Sequence, residues 1–147
     1  MHFWFCVLAV LAGTLVPLQA GLNAQLRFRL ESPHYATLVS VVVSLFSIAL
    51  FCLIARLPVP GPALVREVPW WVWTGGIVGV VYVFMVLVLA PKLGATALIA
   101  SIIGGQVLCS VILDHWGLIG FSQHPLTLGR AIGIVLLFGG VILIQRS

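Results

Sequence analysis

Residues 70–114 read WWVWTGGIVGVVYVFMVLVLAPKLGATALIASIIGGQVLCSVILD, and this stretch decides the fold. Between Trp70 and Leu113 it carries a single charged side chain, Lys92. An α-helix rises 1.5 Å per residue, so about 20 apolar residues cross the roughly 30 Å of bilayer hydrocarbon. The stretch is about twice that long, and Pro91-Lys92 interrupts it near the middle. Proline has no N–H to donate and its ring crowds the preceding turn, so it ends or kinks a helix. Two spans follow, about 70–90 and 94–113, joined as a tight helical hairpin.

Outward from this centre lie three more apolar runs of similar length, Phe3 to about Leu22, about Ala36 to Ala55, and about Leu126 to Ile144. The breaks between them are polar or rich in proline. Arg27, Arg29, Glu31 and Pro33 separate the first two runs, and Arg56-Leu57-Pro58-Val59-Pro60-Gly61-Pro62 follows the second. Asp114 to Pro125 separates the last two. Trp4, the cluster Trp70, Trp71 and Trp73, and Trp116 fall at run ends, where interfacial tryptophan anchors a span. The expected fold is therefore an all-α membrane protein, a single domain over residues 1–147 with five transmembrane helices.

Composition agrees. The chain is 62% hydrophobic and 7% charged, with a mean hydropathy of +1.25, against about 25% charged residues in a soluble domain. The net charge of +4 rests on scattered residues without a Lys/Arg run, which argues against nucleic acid and for lipid headgroups as the partner of those cations. Cys6, Cys52 and Cys109 each lie inside an apolar run and read as small buried residues. His2, His34, His115 and His124 show no metal-ligand spacing with them. The first run has a second reading as a signal peptide, with Leu18-Gln19-Ala20 as a loose cleavage site. Against it, no Lys or Arg precedes the run, and the run is long for such a segment.

Five spans put the two termini on opposite sides. One side receives Arg56, Arg66 and Arg130, the other Arg27, Arg29, Lys92 and Arg146. A difference of one cation does not choose a side by the positive-inside rule. Either other factors set one orientation, or the chain inserts both ways and forms an antiparallel dimer.

Two helices concentrate the polar residues. In the first span, Gln19 and Asn23 are four apart and share a face, with Pro17 freeing a backbone carbonyl one turn earlier. Amides at membrane depth need a partner or water. They serve either interhelical hydrogen bonding or substrate contact. In the fourth span, Gln106, Ser110 and Asp114 follow i, i+4, i+8 as a polar stripe. Ala97, Ser101, Gly105 and Cys109 form a second stripe of small residues suited to close helix contact. Asp114 is the one acid in or next to a span. It either caps the interface in solvent or binds a proton or cation, and His115 beside it reads as interfacial or as a proton relay. Gly75/Gly79 and Gly129/Gly133 have the G-x-x-x-G spacing of packed helices. Ser40, Ser44 and Ser47 share a face of the second span and either line a cavity or bond back to their own helix. No phosphate-binding loop occurs, and no Ser/His/Asp set or carboxylate pair offers catalysis. The sequence calls for no cofactor, no metal and no enzymatic activity.

The chain resembles the YdcZ-type branch of the drug/metabolite transporter superfamily. The resemblance is carried by Gln19, Gly21 and Asn23; Pro33 with Ala36-Thr37; Pro69-Trp70-Trp71; and Gly75-Gly76 with Gly79. It continues through Pro91, Leu93-Gly94, Gly105-Gln106, Asp114 and Gly117 to Gly133 and Gly139, and so covers nearly the whole chain. It implies a bacterial inner-membrane protein equivalent to half of a ten-helix transporter, in which two inverted units enclose a substrate pathway. The second unit would be an inverted copy of this chain or a paralogous five-helix partner. Small multidrug exporters, distant relatives, carry a membrane-embedded Glu in their first helix, and this chain has no acid there. The expected function is transport of a small polar solute by alternating access, with Gln19, Asn23, Gln106 and Ser110 on the substrate and Asp114 as the coupling candidate. The rivals are a non-transporting scaffold subunit and a channel. The latter lacks the charge ring or carbonyl filter a pore needs.

Overall fold

The computed structural model describes residues 2–146, the His2 side chain excepted, and every regular element among them is helical. The order is α1 (His2–Leu30), α2 (Pro33–Ile54), a short α3 (Pro62–Glu67), a 3-10 turn (Trp70–Thr74), α4 (Gly75–Trp116), a second 3-10 turn (Leu118–Gly120) and α5 (Leu128–Arg146). The chain divides into two compact units, Met1–Lys92 and Leu93–Ser147.

In the first unit, α1 runs through Pro17 without a break and carries Arg27 and Arg29 in its last turn. There two cations face the negative end of the helix dipole. Glu31 then takes left-handed geometry (φ 52°) and Ser32 extends to cap α2. The Tyr35 N–H donates to Ser32 Oγ at 3.4 Å, and Pro33 occupies the first turn, where no N–H is needed. The turn is tight because small residues follow it. Ala36 is fully buried, and Thr37 is buried with its hydroxyl bonded back to the Pro33 carbonyl at 2.8 Å. Pro58, Pro60 and Pro62 keep the chain from re-entering a helix until α3. On α2, Ser44 and Ser47 donate to the carbonyls of Ser40 and Val43 on their own helix, the back-bonding alternative for that serine face.

Four helical segments are long and apolar enough to cross a membrane: Phe3–Leu30, Pro33–Ile54, Trp70–Trp116 and Leu128–Arg146. The third is long enough to cross twice. Its helical geometry is interrupted once, at Gly94 (φ 74°, ψ 167°), a region of backbone space open essentially to glycine alone. The interruption therefore falls three residues after Pro91, which stays within the helix. It leaves residues 75–93 and 95–116, each about the length of one crossing.

In the second unit, α4 beyond Gly94 packs on α5 through Gly104. That residue is buried, and a Cβ there would sit 3.4 Å from the Phe138 ring. Ser101 links the same helices, accepting from Gln145 Nε2 at 2.9 Å while donating to the Ala97 carbonyl at 2.7 Å. The small-residue stripe thus contributes Ser101 to this contact, whereas Gly105 and Cys109 are exposed.

Very little of the apolar surface is covered by protein. Among the described residues, Leu87 and Leu98 are the only large side chains that are fully buried. Phe3, Leu15, Phe46, Leu53, Ile77, Leu136 and Leu143 are all exposed. Water would not tolerate a surface of this kind, and lipid is the solvent that covers it.

Candidate functional site

Gln19, Asn23 and Arg27 follow one another at i, i+4 and i+8 on α1, so they form a ladder down one helix face. Opposite the upper two rungs stand Tyr82, Val83 and Val86 of α4. Together with Val16 and Ala20 these residues line a small recess, partly open to the outside. Its interior holds about one water-sized molecule.

Asn23 is only 8% exposed, yet its amide makes no hydrogen bond to any described residue. No buried side-chain polar atom is left without a partner among the described residues, so the Asn23 amide must keep access to the recess that it lines. Gln19 lines the same recess, is exposed, and likewise has no side-chain partner among the described residues.

The third rung does something different. Arg27 Nη1 donates to the Leu87 carbonyl at 2.7 Å and to the Val88 carbonyl at 3.3 Å. The reason lies in the sequence four residues on. In a helix the Leu87 carbonyl would accept from the N–H of residue 91, and residue 91 is proline. Pro91 therefore orphans a carbonyl on a residue with no solvent exposure, and the guanidinium supplies the missing donor. α4 passes through Pro91 and breaks only at Gly94. Nearby, His34 stacks on Phe84 with ring centroids 5.0 Å apart, tying the start of α2 to the same part of α4.

In the second unit, Gln106 and Ser110 are one turn apart on an exposed face of α4. The Ser110 hydroxyl is committed to the Gln106 carbonyl at 2.6 Å, while the Gln106 side chain has no partner among the described residues. Asp114 lies 3.6 Å from Arg130 Nη1. Around this pair the loop is stitched by bonds to backbone carbonyls. His124 N–H donates to the Asp114 carbonyl at 2.7 Å, Arg130 Nη1 to the His124 carbonyl at 3.1 Å, and Gln123 to the His115 carbonyl at 3.1 Å. Leu126 N–H donates to His115 Nδ1 at 3.2 Å, so that ring is held as a loop anchor. Gly117 ends α4 in left-handed geometry (φ 61°), the usual helix stop.

Asp114 and Arg130 are 31% and 41% exposed, and a pair this open to solvent contributes little, typically less than about 1 kcal/mol. Asp114→Asn is therefore expected to lower stability by under about 1 kcal/mol, because the backbone bonds of the loop remain. Thermal unfolding in detergent micelles measures this. Collapse of the fold would show the ion pair to be a structural keystone instead.

The structure brings together Gln19 and Asn23 in one recess, and Gln106 with Ser110 on one face. It places Asp114 against Arg130. Among the described residues no group of three or more His, Cys, Asp and Glu side chains is arranged to hold a metal. The residue that sequence reasoning treated only as one charge in a topology count is Arg27. Its signal was present, as a proline whose missing N–H leaves a buried carbonyl in want of a donor.

A family model described as "Putative inner membrane exporter, YdcZ" matches residues 4–143. No curated protein and no solved structure matches the chain.

Proposed function

The chain belongs to the YdcZ family, and from that premise we propose that it moves a small polar solute by alternating access, as one half of a dimer whose second unit is inverted. The coarse statement stands by itself: this is a multi-pass inner-membrane protein of a transporter family, not of an enzyme family. The finer reading rests above all on Asn23, a buried amide turned to a recess with no protein partner. Groups of this kind are retained where something else binds them.

In this reading Gln19, Asn23, Gln106 and Ser110 contact the solute, and Asp114 is the candidate for coupling to a proton or cation. The odd number of crossings and the nearly even flanking cations support an inverted partner, a second copy of this chain or a paralogous five-helix chain. The G-x-x-x-G face of α5 supports it too, since no atom of its own unit approaches a Cβ built at Gly129 or Gly133 within 4 Å. The five helices would then form a single transmembrane domain.

The test is flux in proteoliposomes against a panel of labelled amino acids, organic acids and polar drugs. Asn23→Ala and Gln106→Ala are each expected to reduce flux of the responding solute at least about tenfold, the loss of roughly 1.4 kcal/mol of binding. Normal flux in both variants would sink the site assignment. Side-specific labelling of both termini tests the partner. Equal labelling from the two sides is expected of a homodimer with an inverted copy, whereas a single orientation removes that homodimer and leaves the paralogous partner.

A further inference from the structure

We propose that the solute recognised on α1 carries an anionic oxygen group, a carboxylate or a phosphate, and that Arg27 leaves the Leu87 and Val88 carbonyls to receive it. The inference rests on the reading of the Asn23 recess as a substrate site and adds the charge class of the ligand.

The observations come from the ladder itself. Arg27 is partly buried, and its partners among the described residues are two neutral carbonyls, both reached through Nη1. Among the described residues the one ion pair is Arg130 with Asp114. Glu31, one turn beyond Arg27, forms none with it. The Arg27 charge is thus offset by carbonyl dipoles alone, with further guanidinium N–H groups left over. A guanidinium binds a carboxylate or phosphate by two parallel charge-assisted bonds, each roughly twice as strong as a bond to a neutral acceptor. Such a ligand would outcompete the carbonyls.

Position supports the exchange. Asn23 is one turn from Arg27 on the same face, a spacing of about 5–6 Å between Cβ atoms. Val86, a wall of the recess, immediately precedes Leu87. The Asn23 amide and the Arg27 guanidinium can therefore reach one small ligand together, the amide donating to one oxygen and the guanidinium to the others. A cationic solute would meet an uncompensated positive charge at this end of the ladder. A neutral solute would gain nothing from Arg27 and would leave it on the carbonyls. The same exchange gives the ligand a mechanical effect, because withdrawing Arg27 unseats the donor that Pro91 made necessary.

The experiment follows thermal unfolding of the full-length protein in dodecyl maltoside micelles by tryptophan fluorescence. Sodium succinate, sodium phosphate, sodium chloride at equal ionic strength, and neutral succinamide are titrated in turn. Succinate or phosphate is expected to raise Tm in a saturable way, and chloride and succinamide are not. In Arg27→Gln the apparent affinity should fall at least about tenfold, Arg27→Lys should recover part of it, and the exposed Arg29→Gln should match wild type. Should Arg27→Gln fail to fold, Asn23→Ala and Arg27→Lys carry the comparison. Phosphatidylglycerol added to the micelles separates the sources. A response to that lipid alone keeps the oxyanion site and assigns it to a headgroup, and a response to free anions assigns it to a solute. No response to any oxyanion, or an equal response in a folded Arg27→Gln, overturns the proposal. If Asn23→Ala still abolishes flux in that case, the transport reading survives without it. Oxyanion binding beside unimpaired flux in Asn23→Ala would remove the transport site and keep the anion site.

Discussion

Asn23→Leu is expected to cut solute flux at least tenfold while leaving the folded protein more stable than before. The two effects have one cause. In the folded chain the Asn23 amide bonds to no described residue and keeps access only to the recess, so leucine of similar bulk breaks no hydrogen bond to the protein. Exchanging a mostly buried polar side chain for an apolar one is expected to raise the unfolding free energy by under about 1 kcal/mol. A solute that hydrogen-bonds the amide loses about 1.5 kcal/mol or more of binding, which is at least a factor of ten. Unfolding in micelles and flux in proteoliposomes read the two quantities on the same preparation. If stability falls together with flux, the amide belongs to the scaffold, and the recess is a packing defect rather than a site.

The second large effect concerns Arg27. Arg27→Met keeps the aliphatic stem and removes the donor, stranding the Leu87 carbonyl where no solvent reaches it. Loss of a charged hydrogen bond with an orphaned acceptor costs about 1.5–3 kcal/mol. Pro91→Ala supplies the N–H that a helix would ordinarily point at that carbonyl. In the alanine background Arg27→Met should therefore cost at least about 1 kcal/mol less. A coupling of that size exceeds the roughly 0.3–0.5 kcal/mol scatter of independent sites. Additive single and double variants would mean that Arg27 and Pro91 do not share the Leu87 carbonyl in solution.

Much of the fold is legible because apolar runs of bilayer length leave a soluble chain few alternatives. The limits of sequence reading show at particular residues. Pro91 was read as the break between the third and fourth spans, since a proline inside a helix loses a bond. The helix nonetheless passes it, a side chain from α1 replaces the lost bond at Leu87, and periodicity along one helix does not reveal a donor on another. Gly94, read as the first residue of the next span, is the point where the backbone leaves helical space. Its special conformation is invisible until φ and ψ are known. The site divides in the same way. Gln19 and Asn23 announce a shared face by their spacing of four. The tie of Asp114 to Arg130 spans an irregular loop with no period to read. Gly104 against Phe138 was hidden among several glycines, of which Gly105 belonged to the more regular stripe.

The bond from Arg27 to Leu87 also has a history in time. Its two ends lie sixty residues apart, and a ribosome adding about 5–20 residues per second needs roughly 3–12 s to pass from one to the other. Throughout that interval the first helix is in place with a guanidinium whose carbonyl partners have not yet been synthesised. On the five-crossing reading, α2 and the first half of α4 are two further crossings that return the chain to the face of the membrane where Arg27 waits. The bond closes only if that number of crossings is even, so the nascent protein carries its own parity check. A molecule that skipped a crossing would arrive with the acceptor carbonyl on the far side of the bilayer.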